Sequence, residues 1–224
     1  LRWLCLTHPT VYGLVMRMRL VYPVKQQSIL VRSPPLYSCF IMSNYRRVYI
    51  PGGSFFFTVV TYRRQQILGL SKSLNILQAA FRSVRRERPF RIDAIVVLPD
   101  HMHCVWTLPP EDADFSTRWR LIKRAFTDQY LAAGGVEIKG NASRFRKGER
   151  GVWQRRFWEH CCRDERDYRR CIDYLHLNPV KHRLVNRVAD WRPSSFHRYV
   201  KLGEYDLNWG GSPELYGDEW SQFE

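Results

Sequence analysis

The run Ile95-Val96-Val97-Leu98-Pro99-Asp100-His101-Met102-His103-Cys104-Val105-Trp106 leaves this chain few folds to choose from. Apolar residues fill both halves, and Pro99-Asp100 interrupts them. That interruption reads as a tight turn between two strands, one over Phe90 to Leu98 and one over His101 to Leu108. Strands joined so closely pair antiparallel, and the rest of the chain must complete a sheet around them. Side chains alternate along a strand, so His101 and His103 share one face while Met102, Cys104 and Trp106 share the other. The apolar set can enter a core. Two neutral imidazoles on the opposite face suit a divalent metal.

The flanking segments supply the partners. Ser54 to Thr61 is a strand introduced by the turn Pro51-Gly52-Gly53. Leu70 to Arg88 is a helix whose inner stripe is Leu74, Leu77, Phe81 and Val84, and Pro89 ends it. Phe115 to Leu131 is a second helix, capped by Ser116 or Thr117, with Trp119, Ile122 and Phe126 inward. Ala132 to Arg150 is rich in Gly, Arg and Lys and reads as a mobile basic loop. Gly151 to Cys161 is an aromatic-rich strand. Arg163 to Asn178 is a third helix, with Asp164 and Glu165 well placed in its first turn. Pro179 is expected to end or kink it just after Asn178.

The first six elements follow the split β-α-β ferredoxin-like order. The expected class is α+β, with an antiparallel sheet and helices packed on one face. Residues 1–41 show neither period and read as a non-native or disordered extension, with the native start expected at Met42. The domain is expected over 42–191, and 192–224 reads as a tail.

A chain of 224 residues can bury one sizeable core. Its 36 Lys and Arg against 21 Asp and Glu give a formal net charge of +15. Such a field draws polyanions without choosing among DNA, RNA, heparin and anionic lipid. The arginines are spread along the chain, which suits a basic folded surface better than a basic tail. Six cysteines form no Cys-x-x-Cys pair, so no structural zinc site is expected. Cys104 and Cys171 read as core residues, and a reducing cytoplasm fits the set best. No apolar run reaches the roughly 18 residues of a membrane helix, and no Walker-type loop is present.

On the third helix Arg170, Tyr174 and Asn178 recur every four residues and share a face. Tyr168, Cys171, Ile172 and Leu175 form the stripe that can pack on the sheet. The plain alternative is an ordinary amphipathic-helix tyrosine. Its neighbours favour more: the Asn178 carboxamide can join His101 and His103 as a third metal ligand, and Arg170 can hold a phosphate oxygen.

These motifs resemble those of the single-tyrosine HUH transposases, and more narrowly the REP-associated tyrosine transposases of bacteria. The resemblance rests on Asn44-Tyr45-Arg46-Arg47, Pro51-Gly52-Gly53, Phe56-Phe57-Thr58-Val59-Val60-Thr61 and Leu98-Pro99-Asp100-His101-Met102-His103. It continues in Val152-Trp153-Gln154, Phe157-Trp158-Glu159-His160 and Tyr174-Leu175-His176-Leu177-Asn178-Pro179-Val180-Lys181, and spans roughly Met42 to Trp191. It implies an HUH fold and a metal-dependent single-strand DNA endonuclease and transposase. His101, His103 and Asn178 would hold Mg2+ or Mn2+, and Tyr174 would attack a phosphodiester to give a 5′-phosphotyrosine. Free tyrosine has a pKa of about 10, so the phenol must be activated or lose its proton as it attacks. The implied substrate is a single-stranded DNA hairpin, a repetitive extragenic palindrome. The subgroup leans to a monomer, with a dimer as the alternative. Arg120, Lys123, Arg124, Arg155, Arg170 and Lys181 are the expected DNA contacts. Trp119, Trp153 and Trp158 could stack on bases or belong to the core. Glu159, His160, His176 and His182 fit either a structural or a site role. Competing readings are a non-catalytic hairpin-binding derivative, a replication initiator or relaxase, and an RNA-processing nuclease using histidine acid–base chemistry.

Overall fold

The computed structural model describes residues 49–140 and 142–210. The expectations for residues 1–41 and for a start at Met42 lie outside them. In chain order the elements are β1 (Ser54–Val60), α1 (Ser71–Glu87), β2 (Arg91–Val97), β3 (His101–Thr107), α2 (Phe115–Ala132), α3 (Ala142–Arg146), β4 (Trp158–Cys161), α4 (Glu165–Lys181) and α5 (Phe196–Lys201).

The sheet order is β2-β3-β1-β4, and every pairing is antiparallel. In β1-α1-β2 the helix carries the chain past one strand position, and β3 then fills the gap. This is the split arrangement that the element order implies. Alternation along β1 sends Phe55, Phe57 and Val59 to one face and Phe56 to the other. On the first face α1 and α2 close over Met102, Cys104, Trp106 and the β1 phenylalanines. Trp106 and Trp119 stack there with ring centroids 4.3 Å apart. The two helices of the ferredoxin-like pattern thus share one face. α4, outside that pattern, covers the opposite face with Cys171, Ile172, Tyr174 and Leu175 against Phe56, Ala94, Val96 and Val105.

Several boundaries differ from expectation for local reasons. Asp114, not Ser116 or Thr117, caps α2, because its carboxylate accepts from the Thr117 amide at 2.9 Å. β4 is short, because exposed residues 154–156 turn outward and Trp153 makes a single bridge to Thr61. The basic loop is tied down: it carries α3, Arg144 donates to the carbonyls of Arg150 and Trp153, and Glu137 pairs with Arg150. α4 runs through Pro179 to Lys181. The proline stands in the last turn, where its missing N–H removes one helical bond. The Arg183 and Leu184 amides then close the end by donating to Val180 and Pro179.

The largest departure concerns residues 192–210, which are folded against the domain and not tail-like. The Val97 amide donates to Pro193, and the Ser195 amide to Ile95, so this segment lies along the free edge of β2. Phe196 of α5 joins Leu177 and Val188 in a small core of its own. The Gly, Pro and acidic composition that suggests a tail belongs mainly to residues beyond 210.

Candidate active site

Three elements meet at one place on the α4 face of the sheet. β3 presents His101 and His103, whose ring centroids are 5.0 Å apart. α4 lays Tyr174 beside them, 5.5 Å from the His103 ring and 5.8 Å from Phe56, ring centroid to ring centroid. One turn on, the Asn178 side chain is held by its own Nδ2, which donates to the Tyr174 carbonyl at 2.8 Å. His101, His103, Tyr174 and Asn178 are 5, 2, 3 and 0% exposed, so charges here are poorly screened by water.

Each imidazole is oriented from behind. His101 Nδ1 lies 2.6 Å from Asp100 Oδ1. Burial would raise the Asp100 pKa, but the His101 hydrogen bond and the Arg64 guanidinium outweigh it and hold the carboxyl at about 2. An ionised carboxylate only accepts, so Nδ1 carries a proton and Nε2 is the ring nitrogen turned away from Asp100. His103 Nδ1 lies 3.0 Å from Thr58 Oγ1, directly across the β1–β3 pairing. Burial first, then the neighbouring His101, His182 and Lys181, pushes the His103 pKa well down and favours the neutral ring. A ring that binds a metal through Nε2 would carry its proton on Nδ1 and donate it to the Thr58 hydroxyl. A carboxylate or hydroxyl behind a ligating histidine is the usual support of a metal site.

Asn178 stands near enough to His103 to favour its protonated form, the one influence opposing burial. Even so, His103 Nε2 and Asn178 Oδ1 are both buried without a hydrogen-bond partner of good geometry. Leaving two such atoms unsatisfied costs stability, and a cation bound by both would satisfy them. The donor set of two neutral imidazoles and one amide oxygen suits a small divalent ion. The side chains therefore fit the metal that the sequence implies.

The basic residues divide into two groups. Lys181 is exposed and places its Nζ 5.1 Å from the Tyr174 ring centroid. Arg170 is half-buried, one turn before Tyr174. Arg120, Lys123, Arg124 and Arg155 are not brought to this site, since α2 lies on the other side of the sheet. Lys123 donates to the carbonyls of Gln154 and Arg155, Arg155 pairs with Glu149, and Arg124 faces Asp128 across 3.8 Å. Trp119 and Trp153 are core residues. Trp158 is half-buried on the α4 face, stacked on His160 at 6.0 Å. His176 is buried on α4 and lies 2.8 Å from Ser195 Oγ, a structural role. His182 caps α4 with its ring 5.1 Å from His101.

Sequence reasoning passed over Thr58 and Asp100. Asp100 is adjacent to His101 and could have been found. Thr58 could not, because its role depends on the strand register. Reasoning from spacing also passed over a second grouping, in which ligand atoms of His160, Asp167 and Cys171 all lie within 4.8 Å of one another.

No family model matches the chain. A REP-associated tyrosine transposase of Escherichia coli K12 is 47% identical over 171 residues, covering 76% of this chain and 92% of that protein. A putative REP-associated tyrosine transposase of Haemophilus influenzae is 42% identical over 174 residues, covering 78% and 97%. A solved structure of a REP-associated tyrosine transposase bound to a REP hairpin superposes with a TM-score of 0.64 at 48% identity, covering 76% of this chain and 93% of that one. Identity of this size, over nearly the whole length of those relatives, places the chain among the REP-associated tyrosine transposases.

Proposed function

We propose that this transposase cleaves and rejoins single-stranded DNA at repetitive palindromic hairpins, with Tyr174 as nucleophile and Mg2+ or Mn2+ as cofactor. The observation that carries the reading is the pair of orphaned buried atoms, His103 Nε2 and Asn178 Oδ1, beside the Tyr174 ring. His101, His103 and Asn178 would hold the ion, which supplies charge stabilisation at a phosphate oxygen. The hairpin substrate is the one named for the solved relative.

The chain's own residues account for the rest. Tyr174 Oη attacks the phosphorus as its proton passes to solvent. The bond to the 3′ oxygen breaks and that oxygen takes a proton from solvent, leaving a 5′-phosphotyrosine and a free 3′-hydroxyl. The phosphodiester energy is kept, so a 3′-hydroxyl can attack in reverse and rejoin a strand without ATP. Lys181, above the ring on the exposed side, offsets negative charge arriving with the phosphate and growing on the phenol oxygen. Thr58 and Asp100 keep the imidazoles in place while this happens.

The test is a labelled single-stranded hairpin incubated with the protein and Mn2+, resolved on a denaturing gel. A protein–DNA adduct is expected from the unaltered chain. Tyr174→Phe should bind the hairpin and give no adduct, and a Phe variant that still cleaves overturns the assignment. A non-catalytic hairpin binder would require one of the four site positions to be lost, and all four are present.

A further inference from the structure

α4 and the end of β4 carry a pattern that the proposed reaction does not use. His160 and Cys162 are two apart at the end of β4, and Asp167 and Cys171 are four apart on α4. Spacing of two in a strand and four in a helix aims each pair at one side of its element. The two pairs face each other. His160 Nε2 is 2.9 Å from Asp167 Oδ2, and Cys162 Sγ is 3.9 Å from Cys171 Sγ. Ligand atoms of His160, Asp167 and Cys171 all lie within 4.8 Å of one another, and Cys162 adjoins this group through Cys171. Two sulfurs bound tetrahedrally to zinc at about 2.3 Å stand about 3.8 Å apart, close to the separation seen. Both thiols are free, and Cys162 and Cys171 pack in the same cluster beneath α4.

We propose that His160, Cys162, Asp167 and Cys171 form a second metal site, distinct from the one beside Tyr174, that takes a tetrahedral, thiolate-seeking ion of the Zn2+ class. Two thiolates, one carboxylate and one neutral imidazole around a divalent ion leave a net charge of −1. Arg163, whose Nε donates to Asp167 Oδ2 at 3.0 Å, is placed to offset it. Binding forms two metal–sulfur bonds and releases two thiol protons to solvent, with no change of oxidation state. Before binding, the same groups form a hydrogen-bonded cap on α4. Once bound, the ion ties the first half of α4 to the edge strand, one turn before Tyr174. The absence of a Cys-x-x-Cys motif hides such a site in the sequence, because its halves come from a strand end and a helix.

Co2+ added to the full reduced chain separates this site from the other. The set His101, His103 and Asn178 contains no sulfur, so a thiolate-to-cobalt charge-transfer band reports the second site alone. The expected result is that band together with tetrahedral cobalt bands, saturating at one thiolate-bound ion per chain and bleached by Zn2+. Cys162→Ala, at a partly exposed position, should keep the fold and lose the band. His101→Ala should keep it. No thiolate band in the unaltered chain, or a band that survives Cys162→Ala, overturns the proposal. Should Cys162→Ala fail to fold, protection of the Cys162 thiol from alkylation by Zn2+ in the unaltered chain decides the matter, and unprotected alkylation counts against the site.

Discussion

Thr58 and Asp100 show how much of a site lies behind its visible residues. Each lies behind an imidazole and holds its Nδ1, so that Nε2 is the nitrogen turned the other way. Thr58→Val and Asp100→Ala should each weaken Mn2+ binding by about 10- to 100-fold, measured by calorimetry on the Tyr174→Phe chain. Thr58→Ser should restore most of the affinity, which a purely packing role would not. His176 makes a second residue-scale prediction. Burial, then the nearby Arg198, pushes its pKa down to about 3. The unfolded chain carries this histidine near 6.5, so it takes up the proton first as pH falls. The contribution to stability is full above about pH 6.5 and is lost progressively toward about pH 3, by a few kcal/mol in order of magnitude. Urea midpoints at neutral and acidic pH should fall apart, and His176→Gln should bring them together. The grouping of His101, His103, Tyr174 and Asn178 was legible because helix and strand periods are local. His101 pairs with His103 over two positions and Tyr174 with Asn178 over four. Thr58 and His103 are 45 residues apart and meet only through the register of β1 on β3.

At the scale of elements, α4 repays the closest reading. Its stripe was readable from spacing, and Asp164 caps its start by accepting from the Asp167 amide at 2.8 Å. The expected break at Pro179 did not follow. A proline is disruptive where several later turns depend on the bond it lacks, and here one short turn remains. The true end is Arg183, in the left-handed region at φ 56°, where glycine is usual. Arg183→Gly should therefore stabilise the protein by about 1 kcal/mol, seen as a higher denaturation midpoint. If the midpoint falls, Arg183 makes contacts worth more than its backbone strain. The short β4 illustrates the opposite limit. Aromatic content alone predicted a long strand, but pairing needs a partner, and β1 pairs in continuous register with residues 158–161, Gln154 adding a single bond to Val60.

For the whole molecule, charge and shape give different information. The net charge of +15 predicts attraction to DNA without locating it. The fold then separates the basic residues into a group beside Tyr174 and a group on the α2 layer. Hairpin binding should weaken linearly with log salt, at about −0.7 per neutralised phosphate for single strands. Arg120→Ala with Arg124→Ala should reduce that slope only if the hairpin wraps to the far layer. An unchanged slope would confine the DNA to the α4 face. The six-element core was legible because each element announces itself locally. The folding of residues 192–210 was not, because its bonds run to β2 about a hundred positions earlier.

That late segment also covers one edge of the sheet. A sheet with an open edge is a template on which a second chain can add a strand. Here β4 leaves only four residues at one edge, and the backbone of Pro193 and Ser195 occupies the other by bonding Val97 and Ile95. The chain thus spends its own late residues closing a surface that would otherwise recruit its neighbours. Ending the chain at Arg192 should reopen that edge, and light scattering should then report association that the full chain does not show.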